Sequence, residues 1–292
     1  SDGVTLKGTA EAGSSVVVTL HGVSQTVTAG SDGNWSADFS AAQITSGSYD
    51  ADVTVTATDA AGNTSSTSGT VRIDTETNAG LSTPIAGDNV INASEASGGV
   101  TLTGTAEAGA SVAVTLGGVK QTVTAGSNGT WSATFDSSQI TTGTHQADVL
   151  VEATDTAGNT ATTSATVQID TETTVSLDGP IEGDNIINAA EASDGVTLTG
   201  VAEAGAQVTV VLKGVSKVVT AGSDGKWSAG YSSADIGTGE FDAAISVTSQ
   251  DGAGNTATAS GTVRVDTSTT ATIELDASLS DTTVNAVENQ SG

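Results

Sequence analysis

Cysteine and methionine are both missing from this chain. Without cysteine no disulfide can staple the fold, and no thiolate is there to bind zinc or attack a substrate. Aromatic side chains are scarce, with 3 Trp, 2 Tyr and 3 Phe in 292 residues. Thin cores and small domains are therefore expected. Positive charge is scarce as well: 7 Lys and Arg stand against 34 Asp and Glu, for a formal charge of -27. Such a surface repels nucleic acid and anionic lipid headgroups and attracts cations. No apolar run approaches the about 18 residues that a membrane span needs. There is no cleavable signal at the start, but the chain opens in mid-pattern, so the route of export is not read from that end.

What is present is a repeat. Trp35, Trp131 and Trp227 stand 96 residues apart (131 minus 35, 227 minus 131), and so do Asp59, Asp155 and Asp251, and Asp74, Asp170 and Asp266. The register slips only in the last junction, where the counterparts Asp281, Asn285 and Glu288 lie one residue further on. The expected division is repeat 1 over 1–75, repeat 2 over 76–171, repeat 3 over 172–267, and the entering segment of a further repeat over 268–292. Repeat 1 lacks such a segment, so the chain reads as a window cut from a longer array.

Within each copy, β-branched residues alternate with small or polar ones between Gly, Asp, Asn and Ser clusters, as in an all-β antiparallel sandwich. Nothing reads as a helix. In repeat 2 the pattern predicts seven strands: 89–93, 100–105, 111–116, 121–125, 131–135, 148–154 and 161–169. An odd number sends the chain in at one pole and out at the other, so copies are expected to follow one another end to end. Trp35 and Phe39, with their counterparts Trp131 and Phe135, Trp227 and Tyr231, are four apart and should point inward together. Tyr49, His145 and Phe241 fill a third aromatic position. That uses every aromatic residue, which leaves none for stacking a sugar or a base.

The acidic residues gather where repeats meet. In a sandwich of this order, the loops holding Glu107 and Asp155 return to the entry pole of repeat 2, where repeat 1 delivers Asp74 and Glu76. Asp88, Asn92 and Glu95 are expected nearby on the entering segment. Unneutralised carboxylates about 5 Å apart repel by about 3 kcal/mol at an effective dielectric of about 20. Ca²⁺ suits such a place because it takes 6 to 8 oxygen ligands in flexible geometry, whereas Mg²⁺ demands a tight octahedron. The plainer reading of Asp59-Ala60-Ala61-Gly62-Asn63 and its copies, with Asn159 and Asn255, is a turn in which Asp caps and Gly and Asn take positive φ. Glu11, Glu107 and Glu203 can likewise be read as solvated loop charges. Asp32 and Asp224 give way to Asn128 in the middle copy and read better as turn residues.

Gly-Thr-Ala-Glu-Ala-Gly at 8–13 and 104–109, Asp-Gly-x-Trp-Ser in two copies, Asp-x-Ala-Gly-Asn and Ile-Asp-Thr together resemble the bacterial immunoglobulin-like repeats of giant RTX-type surface adhesins, which leave the cell by type I secretion. The resemblance covers the whole chain. It implies tandem immunoglobulin-like antiparallel β-sandwich domains arranged end to end, secreted and held at the bacterial cell surface. It also implies an extender stiffened by Ca²⁺ at its junctions, which holds distal binding domains away from the cell for adhesion and biofilm formation. The ligands implied are Asp74, Glu76, Glu107 and Asp155 at the first junction, and Asp170, Glu172, Glu203 and Asp251 at the second. Equivalent positions add Asp184, Asn188 and Glu191 on the second entering segment, Asn159 and Asn255 in the loops of Asp155 and Asp251, Asp266 at the third junction, and Glu11 and Asp59 in repeat 1. Ser268 stands where Glu76 and Glu172 do, and the glycine-rich nonapeptide of RTX proteins is absent.

Catalysis is not expected. The only two histidines, His21 and His145, occupy different repeat positions, and the carboxylates lie in tight loops without an aromatic-lined cleft. The expected partners are calcium ions and neighbouring repeats, with neither nucleic acid nor a membrane span, in a monomeric rod. The alternative is a module that binds a ligand or host receptor.

Overall fold

A computed structural model describes residues 3–273. Asp281, Asn285 and Glu288 lie outside them. By density of internal contacts the chain divides into one unit ending at Asp170 and a second beginning at Thr171.

The first unit holds two sandwiches. Repeat 1 comprises β1 (Val4–Thr9), β2 (Ser15–Leu20), β3 (Val23–Thr28), β4 (Asn34–Phe39), β5 (Ser48–Thr58) and β6 (Thr64–Asp74). Its sheets are β1-β4 and β3-β2-β5-β6. Repeat 2 adds β7 (Ala79–Leu81), β8 (Val90–Ile91) and helix α1 (Ala93–Gly98), then β9 (Val100–Ala106), β10 (Ser111–Leu116), β11 (Val119–Thr124), β12 (Thr130–Phe135), β13 (Thr144–Thr154) and β14 (Thr160–Asp170). Its sheets are β12-β9-β7 and β11-β10-β13-β14-β8. The second unit repeats the plan with β15 (Ile186–Asn188), α2 (Ala189–Asp194), β16 (Val196–Val201), β17 (Gln207–Leu212), β18 (Val215–Thr220), β19 (Lys226–Tyr231), α3 (Ser233–Ile236), β20 (Glu240–Gln250) and β21 (Thr256–Asp266).

Period-2 alternation positions the cores. On β12, Trp131, Ala133 and Phe135 face inward, and Val112, Val114 and Leu116 of β10 meet them with Val149, Val151 and Ala153 of β13. All are buried. Trp35 with Phe39, and Trp227 with Tyr231, repeat the arrangement, while Tyr49, His145 and Phe241 are half-buried. Trp131 lies opposite Gly104 across the β9-β12 pair. A Cβ on Gly104 would come 2.4 Å from Trp131 Cζ2 and 2.0 Å from the main-chain oxygen of Gly80 on β7. This is why a glycine opens the Gly-Thr-Ala-Glu-Ala-Gly motif.

The structure departs from the sequence reading in three places. Among the described residues, three short α-helices and three 3₁₀ turns occur where no helix was expected: α1 and α2 each begin with a capping box, Asn92 with Glu95 and Asn188 with Glu191, and α3 is only four residues long. An additional strand, β7, lies in the stretch expected to be a spacer and pairs with β9, Leu81 opposite Gly104. Finally, the entering strand, parallel to the last one, lies beside the last strand's end and not at the entry pole, with Ile91 opposite Ile169 in repeat 2 and Ile187 opposite Val265 in repeat 3. Parallel first and last strands are the geometric form of the odd-strand argument: the chain leaves repeat 2 at the pole opposite the one that receives β6.

Candidate metal centre

The centre is built on the loop between β13 and β14. Gly158, at φ 93, lets the chain turn so that Asp155 N–H donates to the Asn159 carbonyl at 3.1 Å. The Asp155 carboxylate then accepts from Asn159 N–H at 2.8 Å and from Asn159 Nδ2 at 2.7 Å. Burial alone would raise its pKa, but these bonds from Asn159 and the loop amides outweigh it and hold the carboxyl below its ordinary value. Asp155 is only 7% exposed. Directly after β9, Glu107 opens a tight turn closed by Ala110 N–H donating to the Glu107 carbonyl at 3.0 Å.

Repeat 1 supplies the third member. Asp74 ends β6, and Asn159 Nδ2 donates to its main-chain oxygen at 3.2 Å, tying the two repeats together. Carboxylate oxygens of Asp74, Glu107 and Asp155 lie within 4.8 Å of one another. Among the described residues no lysine or arginine pairs with them; the ion pairs involve other acids. Asp74 Oδ1 is buried and has no hydrogen-bond partner. A buried charged oxygen without a donor costs more than the about 1–3 kcal/mol of a neutral unsatisfied group. It points to a positive partner.

The other expected ligands lie elsewhere. Glu76 and Glu172 are exposed and outside this group. Asp88, Asn92 and Glu95 are not near it, because the pairing of Ile91 with Ile169 sets them at the exit end of repeat 2. There Asp88 Oδ1 accepts from Val90 N–H at 2.9 Å, Asn92 Oδ1 from Glu95 N–H at 3.0 Å and Glu95 Oε2 from Asn92 N–H at 3.0 Å. Asp184, Asn188 and Glu191 repeat these roles with Ile186, Ala190 and each other. Asn159 presents its amide nitrogen to the carboxylate, so it positions Asp155 as a donor.

In the second unit, Glu203 and Asp251 bring carboxylate oxygens within 4.8 Å of each other, and Asn255 grips Asp251 by bonds of 2.8 Å from N–H and from Nδ2. Asp170 ends β14 and accepts from Thr144 Oγ1 at 2.9 Å. In repeat 1, Glu11 and Asp59 line an open groove of about 340 Å³, and Asn63 holds Asp59 by the same two bonds, at 2.8 and 2.7 Å. Asp266 is exposed at the end of β21. Sequence reasoning overlooked Thr77 and Thr173, whose hydroxyls are buried without a partner. The recurring Thr-Glu-Thr at 75–77 and 171–173 was the available signal.

A family model described as bacterial Ig-like domain matches residues 3–75, 78–171 and 174–267. The chain belongs to that family. It is 34% identical to a structure described as a Ca²⁺-stabilised adhesin that helps an Antarctic bacterium reach out and bind ice; the match covers 91% of this chain and 70% of that one, with a TM-score of 0.41. A structure concerned with host cell surface retention of a 1.5-MDa bacterial ice-binding adhesin is 27% identical over 91% of each chain, with a TM-score of 0.41. A single immunoglobulin-like domain from the ice-binding adhesin of M. primoryensis is 33% identical over 34% of this chain and 97% of its own, with a TM-score of 0.26. No curated protein matches.

Proposed function

We propose that this chain is an extender segment of a bacterial cell-surface adhesin, in which a Ca²⁺ ion held by Asp74, Glu107 and Asp155 fixes repeat 1 to repeat 2. The observation that carries the reading is Asp74, whose Oδ1 is buried without a donor and whose carboxylate comes within 4.8 Å of those of Glu107 and Asp155. The donor set is oxygen throughout, which suits a hard cation. Three converging carboxylates outnumber what Mg²⁺ takes from protein when it keeps several of its waters, so Ca²⁺ is the better fit. In sequence, Asp170, Glu203 and Asp251 are the counterparts of Asp74, Glu107 and Asp155.

The cation neutralises carboxylates that otherwise repel. It converts a flexible linkage into a braced one, and rigidity is what a spacer needs in order to hold a distal binding domain away from the cell. Sequence identity to a relative described as a Ca²⁺-stabilised adhesin supports the reading. Secretion to the cell surface and a part in adhesion follow from the same proposal. No step here calls for catalysis, because the chain's work is to hold distance.

Thermal unfolding in excess Ca²⁺ and in excess chelator tests the proposal. A site kept at 100 times its dissociation constant adds about 2.7 kcal/mol. Coincident melting curves would show that no cation is held.

A further inference from the structure

The loop between β11 and β12 is a tight turn whose glycine is imposed by packing. A Cβ on Gly129, at φ 77, would come 2.9 Å from the main-chain oxygen of Ala106, and Ala106 N–H donates to the Gly129 carbonyl at 2.9 Å. A Cβ on Gly33 or Gly225 would meet the main-chain oxygen of Ala10 or Ala202 in the same way, at 2.9 and 2.8 Å. Before that glycine the turn needs only a side-chain oxygen that accepts from the backbone two residues on. Asp32 Oδ1 accepts from Asn34 N–H at 3.0 Å, Asp224 Oδ1 from Lys226 N–H at 3.1 Å and Asn128 Oδ1 from Thr130 N–H at 3.1 Å. Aspartate and asparagine therefore serve this turn alike.

They differ in what the next nitrogen can do to them. Asn128-Gly129 is the only Asn-Gly pair in the 292 residues. With no Cβ on the glycine, its nitrogen reaches the Asn128 amide carbon unhindered. In that step the nitrogen gives up its proton and bonds to Cγ, the Cγ–Nδ2 bond breaks, and Nδ2 leaves as ammonia, so that residues 128 and 129 share a cyclic imide. Water then adds to Cγ and the ring opens, a proton returning to the Gly129 nitrogen. The sum is one water taken up, one ammonia released and an aspartate at position 128. Asp32 resists the same attack: bonds from the Asn34 side chain and backbone hold its carboxyl below the ordinary pKa, and an ionised carboxylate is a poor electrophile.

The closed turn holds both reacting groups. Gly129 N–H donates to the Gly126 carbonyl at 2.9 Å, and Asn128 Oδ1 also accepts from Thr130 Oγ1 at 2.8 Å. We propose that Asn128 is a self-modifying site, deamidating to aspartate at a rate set by the opening of its own turn. Asn128 is exposed, and an exposed turn opens at low cost. The aspartate product recloses on Thr130 as Asp32 and Asp224 close on Asn34 and Lys226. Water adding instead to the main-chain carbonyl of residue 128 gives the isoaspartyl form, whose longer main chain cannot keep the bonds to Gly126 and Ala106. Either product adds a negative charge to a chain already at -27, on a loop bonded to the residue that precedes Glu107. The reaction needs only water and does not depend on the proposed cation.

Peptide mapping by mass spectrometry reads both the site and its gate, with the 292-residue chain held in mildly alkaline buffer, folded and in guanidinium chloride. The expected result is exchange of NH₂ for OH at Asn128 before any other asparagine, about ten- to a hundredfold slower in the folded chain, as local opening of a turn implies. Thr130→Val removes the hydroxyl's grip on Oδ1 and should speed the folded reaction about fivefold while leaving the unfolded rate near the parent's. Asn128→Asp, the product made directly, should melt with the parent. Earlier conversion at another asparagine overturns the inference, as does an Asn128 still intact in the folded chain after about a thousand unfolded half-lives. Equal rates in the folded and unfolded chains, a folded rate unmoved by Thr130→Val, or a clearly lower melting temperature for Asn128→Asp also overturn it.

Discussion

Repeat 1 and repeat 2 carry the same pole in two states. Their Asp loops are built alike: Asn63 holds Asp59, and Asn159 holds Asp155, through the same backbone and side-chain bonds within 0.1 Å. Both carboxyls are held below their ordinary pKa. Yet Asp155 is 7% exposed and shares its space with Asp74 and Glu107, while Asp59 is half-exposed on an open groove. The loop is thus preformed by its own five residues, and the neighbouring repeat supplies what turns a loop into a site. An oxygen cage assembled this way need not reorganise to receive a cation, which saves ordering cost on binding.

The comparison can be broken most forcefully at β7, the strand that covers repeat 2 and has no counterpart over repeat 1 among the described residues. Gly104→Val drives a side chain into Trp131 and into the main chain of Gly80, whereas Gly8→Val meets only Trp35. The first should cost about 3 kcal/mol, the upper range for overpacking, and the second distinctly less. Urea unfolding of the two variants, with repeat-specific Trp fluorescence, compares them. Equal losses would mean that β7 contributes little to repeat 2.

A smaller effect separates the two aspartates as ligands. Asp155→Asn should weaken Ca²⁺ binding at the first junction by about tenfold, which is about 1.4 kcal/mol, while Asp59→Asn leaves that junction's affinity unchanged. In chelator the order reverses, since neutralising Asp155 removes repulsion from Asp74 and Glu107. Calorimetric titration and melting in chelator measure the two halves of this statement.

The smallest effect lies in the two asparagines. Asn159→Ala loses a bond to Asp74 that Asn63 has no counterpart for, so it should cost about 1 kcal/mol more than Asn63→Ala. Either change also removes the side-chain bond that does most to lower its aspartate's pKa, so the carboxyl should climb back toward its ordinary value. A depressed folded pKa gives stability that is fully present above the unfolded value and is lost as pH falls below it. The variants should therefore show a shallower loss of stability below about pH 4. Melting temperature against pH follows it.

Much of the fold was written locally. The alternation at Trp131, Ala133 and Phe135 is a period-2 pattern that needs no distant partner to be read, and six of the seven strands expected in repeat 2 lie close to their places. The seventh was placed correctly in sequence but wrongly in space. Val90–Ile91 is a two-residue strand, too short to show periodicity, and its register against β14 decides where Asp88, Asn92 and Glu95 go. β7 was invisible for the same reason: Ala79-Gly80-Leu81 offers three residues and one small side chain on the relevant face. The helices α1 and α2 have their signal in Asn-x-x-Glu, a capping box that sequence reasoning took for metal ligands because the same oxygens serve either purpose.

By itself the sequence determined the repeat period, the sandwich, the inward aromatic pairs and the chemistry of each acidic loop, because each of these follows from residues a few positions apart. The sequence put Asp74, Glu76, Glu107 and Asp155 at one pole, and the tertiary structure decided which of them meet. It brought Asp74, Glu107 and Asp155 together from three strand ends far apart in sequence, left Glu76 exposed two residues past Asp74, and sent the entering segment's acids to the far end of repeat 2. The reason is that strand register and pole are long-range properties, set by which edge pairs with which across the sheet, and no local pattern encodes them.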